Sequence, residues 1–324
     1  MGTRWKRRTV CRGKGFCEMK DTMGIRMVAM DMDGTLLLPD GTISPRAARA
    51  LVGCEERGIQ VILASGRSFF NIRAYYKQLG LKSPMLSVNG VRGDASCMGP
   101  LIFDSFLPEA VTRAILPILR AEKVHFDLFT RYDIYDEFLD AHFNFHNVPE
   151  LVLEDGMRHE IIVEQPRRTD VEGAPCAYKL IAMSRDVDKL ARIRAALQDF
   201  PVDIASSGWD NLEIIQPGIN KGTGLARLAA HYGIAREQVM AFGDYWNDAE
   251  MLEWAGESFA MENAVPEIRA RAKYIAPSNA EDGVARTIEE LLLCWTLCWW
   301  SRKSRKIPAT SPAPARPRGA RCTW

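Results

Sequence analysis

The sequence predicts an α/β protein: a parallel β-sheet covered by helices on both faces, with a second, α+β domain inserted into it. Three observations carry this. Short, continuously apolar runs near residues 25–30, 59–64 and 85–88 alternate with stretches of helical spacing, as in parallel strands buried on both faces. From about residue 91 the alternation breaks down into short strand-like and loop-rich segments, mostly of antiparallel character. It resumes after Pro217-Gly218 and continues towards residue 293. With 324 residues, 47% of them hydrophobic, the chain is long enough for one large domain or two modest ones. It carries too much apolar material for a disordered chain.

Ile25–Met30 is the first strand and delivers Asp31 at its end. Thr42–Gly58 has helical spacing, with Ser44 as N-cap and Pro45 at the first position. Ile59–Ala64 is a second buried strand that ends in Ser65-Gly66-Arg67. Phe69–Leu79 reads as a helix and Met85–Val88 as a strand leading into Asn89-Gly90. In the inserted region, strands are expected at 101–103, 124–129, 133–135, 177–183, 202–206 and 212–215, and helices at 108–122 and 187–197. The closing segment reads as a helix at 222–232, a strand at 239–242 ending in Gly243-Asp244, a helix at 248–255, short strands at 258–261 and 274–275, and a helix at 283–293. The expected organisation is a basic leader (1–24), a core built from 25–90 and 208–293, an inserted domain (91–207) and a basic tail (294–324).

The formal net charge of +1 conceals an uneven distribution. Residues 1–20 hold seven Lys/Arg and one Glu; residues 301–324 hold seven Lys/Arg and no acid; the body between them is acidic, at −12. The leader lacks the apolar centre of a secretory signal, and no apolar run reaches the length of a transmembrane helix, about 18 residues. Trp299 and Trp300 followed by Arg302, Lys303, Arg305 and Lys306 could touch an anionic surface, and a solvated tail explains them equally well. None of the eight cysteines forms a CxxC pair, and five lie in or near the ends. That usage fits a reducing compartment with free thiols, so a cytoplasmic location is expected, with no zinc site.

The strongest chemical signal is Asp31-Met32-Asp33-Gly34-Thr35 at the end of the first strand. A carboxylate leaving a buried strand is costly unless its charge is used. Two carboxylates two residues apart, followed by Gly and Thr, can hold a cation and present a nucleophile. Gly243-Asp244 with Asn247-Asp248 repeats the pattern at another strand end. A turn or a helix cap would explain either loop alone. Together they form a hard-oxygen site suited to Mg²⁺. Ser65 and Lys221 offer a hydroxyl and an ammonium of the kind that suits phosphate oxygens.

In this order, DMDGTLL, ASGR, NKG and GDYWND resemble the four motifs of the haloacid dehalogenase superfamily. The insertion between the second and third motifs, Val88-Asn89-Gly90 and the segment MENAVPEIRARAKYIAPSNAEDGVA are similar to its Cof-like IIB phosphatases. The resemblance spans roughly residues 25–293 and excludes both ends. It implies a Rossmann-like core with an α+β cap, and a two-step phosphoryl transfer. In that scheme Asp31 attacks phosphorus and becomes an aspartyl-phosphate. Asp33 protonates the leaving oxygen and then takes a proton from water. Ser65, Lys221 and the backbone at Met32, Gly34 and Thr35 hold the phosphoryl oxygens. Asp31, Asp33 (through its carbonyl) and Asp244 ligate Mg²⁺, with Asn247 and Asp248 in support. Asp31 has to be ionised while Asp33 carries a proton. Gly66, Arg67, Asn89, Gly90 and Asn220 are candidate substrate contacts. The chain departs from the family at Tyr245 and Trp246, where small or polar residues are usual, and at Glu262, where Gly is usual.

Other groups have plainer readings. His142 and His146 have i, i+4 spacing but no third ligand nearby. Arg158, His159, Arg167 and Arg168 make the insertion locally basic, Lys179 lies on an inserted strand, and Cys54 suits a small core position. The leading function is a Mg²⁺-dependent phosphatase of small phosphorylated metabolites, sugar phosphates first and flavin or pyridoxal phosphates as further candidates. The alternatives are a hexose phosphate mutase-like phosphotransferase and a non-catalytic protein tethered by its basic ends. No nucleic-acid partner is expected for the body.

Overall fold

The structure, a computed structural model, describes residues 24–138, 151–152, 158–159 and 167–290. The expected tail, most of the expected leader and the His142/His146 pair lie outside them.

The chain opens with β1 (Met27–Met30), α1 (Pro45–Glu55), β2 (Gln60–Leu63), α2 (Phe69–Leu79) and β3 (Met85–Ser87). β4 (Arg92–Asp94), β5 (Leu101–Phe103), α3 (Glu109–Glu122), β6 (His125–Phe129) and β7 (Ile134–Glu137) follow. Next come the two-residue strands β8 (Leu151–Val152), β9 (Arg158–His159) and β10 (Arg167–Arg168), then β11 (Lys179–Met183) and α4 (Val187–Ala196). β12 (Asp203–Ala205), β13 (Asn211–Ile215), α5 (Lys221–His231), β14 (Val239–Gly243) and α6 (Ala249–Trp254) lead to β15 (Glu257–Met261), α7 (Pro266–Arg271), β16 (Tyr274–Ala276) and a helix α8 at 283–290.

The central sheet has the order β16-β15-β14-β1-β2, every pair parallel. β3 extends it through a single parallel bridge, Ala64 to Leu86. β1, β14 and β15 are buried along their whole length, which explains the unbroken apolar runs of β1 and β14. The chain leaves β1 towards β2 on one side and returns as β14 on the other. The order therefore reverses at β1/β14, and loops at their carboxyl ends face a common crevice. α1 starts as its sequence specifies: the Ser44 hydroxyl accepts from the Ala47 N–H at 2.9 Å, with Pro45 at the first position.

The insertion builds a sheet of order β10-β7-β6-β11-β13-β12, antiparallel except for β10/β7, with α3 and α4 packed on it. The parallel core with an inserted α+β cap is thus the architecture that the sequence predicts. Its borders move, however. β4 pairs with β3 and β5 with β4, and Ile102 and Phe103 pack on the core's apolar cluster. β13, read with the inserted strands although the border at 208 left it on the core side, pairs with β11 and β12, and its Leu212 and Ile214 belong to the cap's cluster. The cap's apolar interior begins at Leu107 and ends at Ile214, in place of the expected 91–207. The physical reason is hydrogen bonding: β3 has an open edge that β4 satisfies, and β13 fills the slot beside β11. A small cluster of Val88, Val91, Tyr178 and Ile215 joins the two parts.

Candidate active site

The segment after β1 turns sharply. Asp31 is buried beside the sheet and its N–H donates to the Phe242 carbonyl of β14 at 3.1 Å. Gly34 has φ +78°, and a Cβ there would stand 2.3 Å from Asp244 Oδ2. Only glycine allows these two acidic loops to approach so closely. Thr35 Oγ1 donates to Asp244 Oδ1 at 2.6 Å and locks the loops together. Asn263 Nδ2 donates to the Gly34 carbonyl at 2.8 Å. Glu262 is tolerated beside it, because the turn closed by Ala264 N–H on the Met261 carbonyl needs no left-handed residue there.

Lys221 is the first residue of α5 and is fully buried. Its Nζ donates to Asp31 Oδ1 and to Asp248 Oδ1, each at 2.6 Å. Asp248 Oδ2 accepts from the N–H groups of Asp244 and Tyr245, at 2.9 and 3.1 Å. Carboxylate oxygens of Asp31, Asp244 and Asp248 lie within 4.8 Å of one another. Asp248 already serves three donors, so Asp31 and Asp244 are the carboxylates with capacity left for a cation. The Oδ1 of Asn247 is buried without a partner among the described residues.

Charge explains the protonation balance. Burial pushes the Asp31 carboxyl well above its ordinary range; Lys221 pulls it down, and Asp248, Asp244 and Asp33 push it further up. Asp244 is pushed up to about 7 by burial and by Asp248, against the Thr35 hydrogen bond and Lys221. Lys221 is held above its ordinary value: burial opposes its charge, but the Asp248 and Asp31 carboxylates outweigh burial. Three carboxylates face one ammonium. The direction at Asp31 is opposite to that of an ionised nucleophile, and a bound cation is what would reverse it.

Asp33 points away from this cluster. Its side chain is 60% exposed and takes a forked ion pair from Arg67, Nε to Oδ2 at 2.8 Å and Nη2 to Oδ1 at 2.6 Å. Its carboxylate is therefore no part of the acidic triad; Asp248 stands there instead. Ser65 is buried, and its hydroxyl accepts from the Arg67 N–H at 3.2 Å.

The remaining expected substrate residues are engaged internally. Asn220 caps α5, its Oδ1 accepting from the Thr223 N–H at 2.8 Å. Gly90, at φ +91°, lets the backbone pass the Asn220 carbonyl. Asn89 donates to Glu213 and accepts from Asn247 Nδ2 at 3.4 Å. The Gly66 carbonyl accepts from Lys179 Nζ at 2.8 Å, and the same Nζ binds Glu213 Oε2 at 2.7 Å. Glu213 is the residue that sequence reasoning missed. The available signal was an acid within the apolar run Leu212–Ile215 and a lysine heading another: charges in buried strands need partners. Burial alone would raise the Glu213 carboxyl, but Lys179 and the Ser207 hydroxyl hold it below its usual range.

A two-carboxylate loop, a buried lysine and a second acidic loop, all at the switch point of a parallel sheet, define a phosphoryl-transfer enzyme with a cap. The family model of haloacid dehalogenase-like hydrolases matches residues 28–288, and the chain belongs to that family. The chain is similar to 5-amino-6-(5-phospho-D-ribitylamino)uracil phosphatase YitU of Bacillus subtilis, 30% identical over 272 residues, covering 82% of this chain and 96% of that protein. It is 31% identical over 257 residues to an HMP-PP phosphatase of Escherichia coli, covering 77% and 89%. Among solved structures, a haloacid dehalogenase-like hydrolase from Bacillus subtilis superposes with a TM-score of 0.71 at 25% identity, covering 82% of this chain and 99% of that one. The enzyme class is phosphoric monoester hydrolysis. Among the described residues no helix is long and apolar enough to cross a membrane.

Proposed function

We propose that the protein is a Mg²⁺-dependent phosphatase of small phosphorylated metabolites that works through an aspartyl-phosphate on Asp31. The observation that carries this reading is the buried Asp31–Lys221–Asp248 chain set against Asp244. The donor set fits Mg²⁺: two carboxylates with free oxygens, raised carboxyl affinities for protons, and the orphaned Asn247 Oδ1 beside them. Asp31 and Asp244 would hold it, with Asp248 and Asn247 behind them. When bound, the ion supplies charge neutralisation for the carboxylates and the incoming phosphoryl oxygens.

In the first step an Asp31 oxygen forms a bond to phosphorus as the ester P–O bond breaks, and Asp33 gives its proton to the leaving oxygen. In the second, water attacks that phosphorus, its proton goes to Asp33, and the bond to Asp31 breaks to release phosphate. Lys221 and Ser65 serve the phosphoryl oxygens. The Arg67 fork has to open before Asp33 can reach a leaving group, so substrate entry and Arg67 movement are coupled. The sugar phosphates expected from the sequence are one member of this substrate class.

The test is release of inorganic phosphate from a metabolite panel with Mg²⁺, repeated with Asp31→Asn. Turnover is expected to fall by at least about 10³-fold in the variant. Undiminished turnover would sink the mechanism. Isomerised substrate without free phosphate would mark a phosphotransferase.

A further inference from the structure

The two acidic loops are joined by a clip that neither of them supplies. In the central sheet β15 lies two strands from β1 and β16 three, and all run parallel. The turns after β15 (262–265) and after β16 (277–282) therefore gather at the carboxyl edge with the 31–37 loop. The first turn reaches both acidic loops: Asn263 Nδ2 donates to the Gly34 carbonyl at 2.8 Å, and the Val265 N–H donates to the Asp244 carbonyl at 3.2 Å. The second turn holds the first. The Asn279 N–H donates to Asn263 Oδ1 at 3.0 Å, and Asn279 Nδ2 donates to the Leu37 carbonyl at 2.7 Å.

These bonds have separate consequences. The Asn279 N–H fixes which way the Asn263 amide faces: turned over, it would set Nδ2 against that N–H and Oδ1 against the Gly34 carbonyl. The Leu37 N–H donates to the Met32 carbonyl at 2.8 Å, so the closed base of the loop is held by Asn279 and its tip by Asn263. The Gly34 carbonyl and the Thr35 N–H share one planar trans peptide and point in opposite directions, so drawing the carbonyl to Asn263 also fixes the direction of that N–H. The second turn is itself anchored, by the Ser44 hydroxyl on Asp282 Oδ1 and by the Gly283 N–H on the Ser278 carbonyl at 3.1 Å. Asn263 is exposed, and water could satisfy its amide; both ends are bound to protein instead.

We propose that Asn263 and Asn279 are positioning residues, a relay that sets the spacing of the Asp31 and Asp244 loops at which both carboxylates reach one Mg²⁺. This rests on the phosphatase reading above. Like charges on the two loops push them apart, so their spacing has to be held from outside the acidic cluster. The Thr35 hydroxyl ties Asp244 by its side chain, whereas the Asn263–Val265 turn ties both loops by their backbone carbonyls, one bond to each. Movement of either loop away from the other stretches one of these bonds.

The experiment combines calorimetric titration of Mg²⁺ into the full chain with phosphate release from p-nitrophenyl phosphate. Asn263→Ala is expected to weaken Mg²⁺ binding at least about ten-fold. Its kcat at saturating Mg²⁺ should fall at least about ten-fold, with KM changed by less than about two-fold. Asn263→Asp keeps the acceptor for Asn279 but sets an oxygen against the Gly34 carbonyl, so its kcat should fall as far. Asn279→Ala loses only the Leu37 bond and should keep its Mg²⁺ Kd within about three-fold. Asn279→Pro also removes the N–H, at the first position of a short helical turn where proline fits after the extended Ser278, and should match Asn263→Ala in Mg²⁺ affinity. Wild-type kcat in Asn263→Asp would reduce Asn263 to a tie between two turns and overturn the proposal; so would wild-type Mg²⁺ affinity in Asn263→Ala, or a wild-type chain that takes up no Mg²⁺. Should the wild-type chain bind Mg²⁺ but release no phosphate, the phosphatase reading falls, and the Mg²⁺ affinities of Asn263→Ala and Asn279→Pro decide the relay.

Discussion

At the scale of single residues, the site depends on where a side chain is missing. Gly34 and Gly58 have nearly the same backbone, φ +78° and +75°, but a Cβ at Gly34 meets Asp244 Oδ2 at 2.3 Å, whereas at Gly58 nothing lies within 4 Å. Both alanine variants incur the left-handed strain, about 1–2 kcal/mol. Only Gly34→Ala also pushes Asp244 away from Asp31. Because misplacement by an ångström can cost about 10²-fold in rate, Gly34→Ala should lose at least that much kcat while Gly58→Ala keeps its activity. Steady-state kinetics with thermal melts of both variants checks this; equal kinetic losses would remove Asp244 from the site. The four motif loops were legible because each puts an unusual residue type at a strand end or helix start. Glu213 was not, because its meaning comes from what the fold places opposite it.

At the scale of elements, β11 and β13 carry a charge pair through a fully buried part of the cap sheet. Lys179 and Glu213 tie that sheet to the Gly66 carbonyl and to Asn89, so the cap grips the loops that follow β2 and β3. Lys179→Met leaves the Glu213 carboxylate buried with only Asn89 and Ser207 as donors. Losing one partner of a buried pair costs about 3–5 kcal/mol, and urea unfolding should show a drop of that order. The double variant Lys179→Met/Glu213→Leu should regain most of the stability, since two apolar groups replace two charges. It should not regain kcat/KM, because Gly66 and Asn89 stay untethered. A double variant with full activity would reduce the pair to packing. The sequence showed both strands and grouped them with the insertion, but the border drawn at 208 fell before β13 instead of after it. Periodicity reports that a strand is buried, not which sheet edge it completes. The same limit hid β4, whose Arg92 and Asp94 are buried only because they pair with each other, Arg92 Nε to Asp94 Oδ2 at 2.8 Å.

At the scale of the whole molecule, three carboxylates of the acidic body meet where the sheet reverses, and this couples metal, proton and stability. Burial and Asp248 push Asp244 up to about 7, so the folded, cation-free protein keeps a proton there that the unfolded chain releases near its ordinary value of 3.8. Between those two pH values the folded state binds more protons than the unfolded one, and stability falls as the pH rises. Asp31, raised in the same direction, adds to the effect. Mg²⁺ competes with these protons, so its stabilisation should grow across the window in which the protons are lost. At a Mg²⁺ concentration about a hundred times its Kd, binding contributes about 2.7 kcal/mol, or a rise in Tm of roughly 4–5 °C for a chain of this size. That rise is expected at pH 8 and should shrink to less than half at pH 5, where the protons hold the site. Asp244→Asn removes one titrating ligand and should abolish most of the Mg²⁺ shift at both pH values while raising the Tm of the metal-free protein at pH 8. Thermal melts with Mg²⁺ and with chelator at the two pH values decide it. A Mg²⁺ shift independent of pH, or one that survives Asp244→Asn, would place the cation away from the β1/β14 crevice.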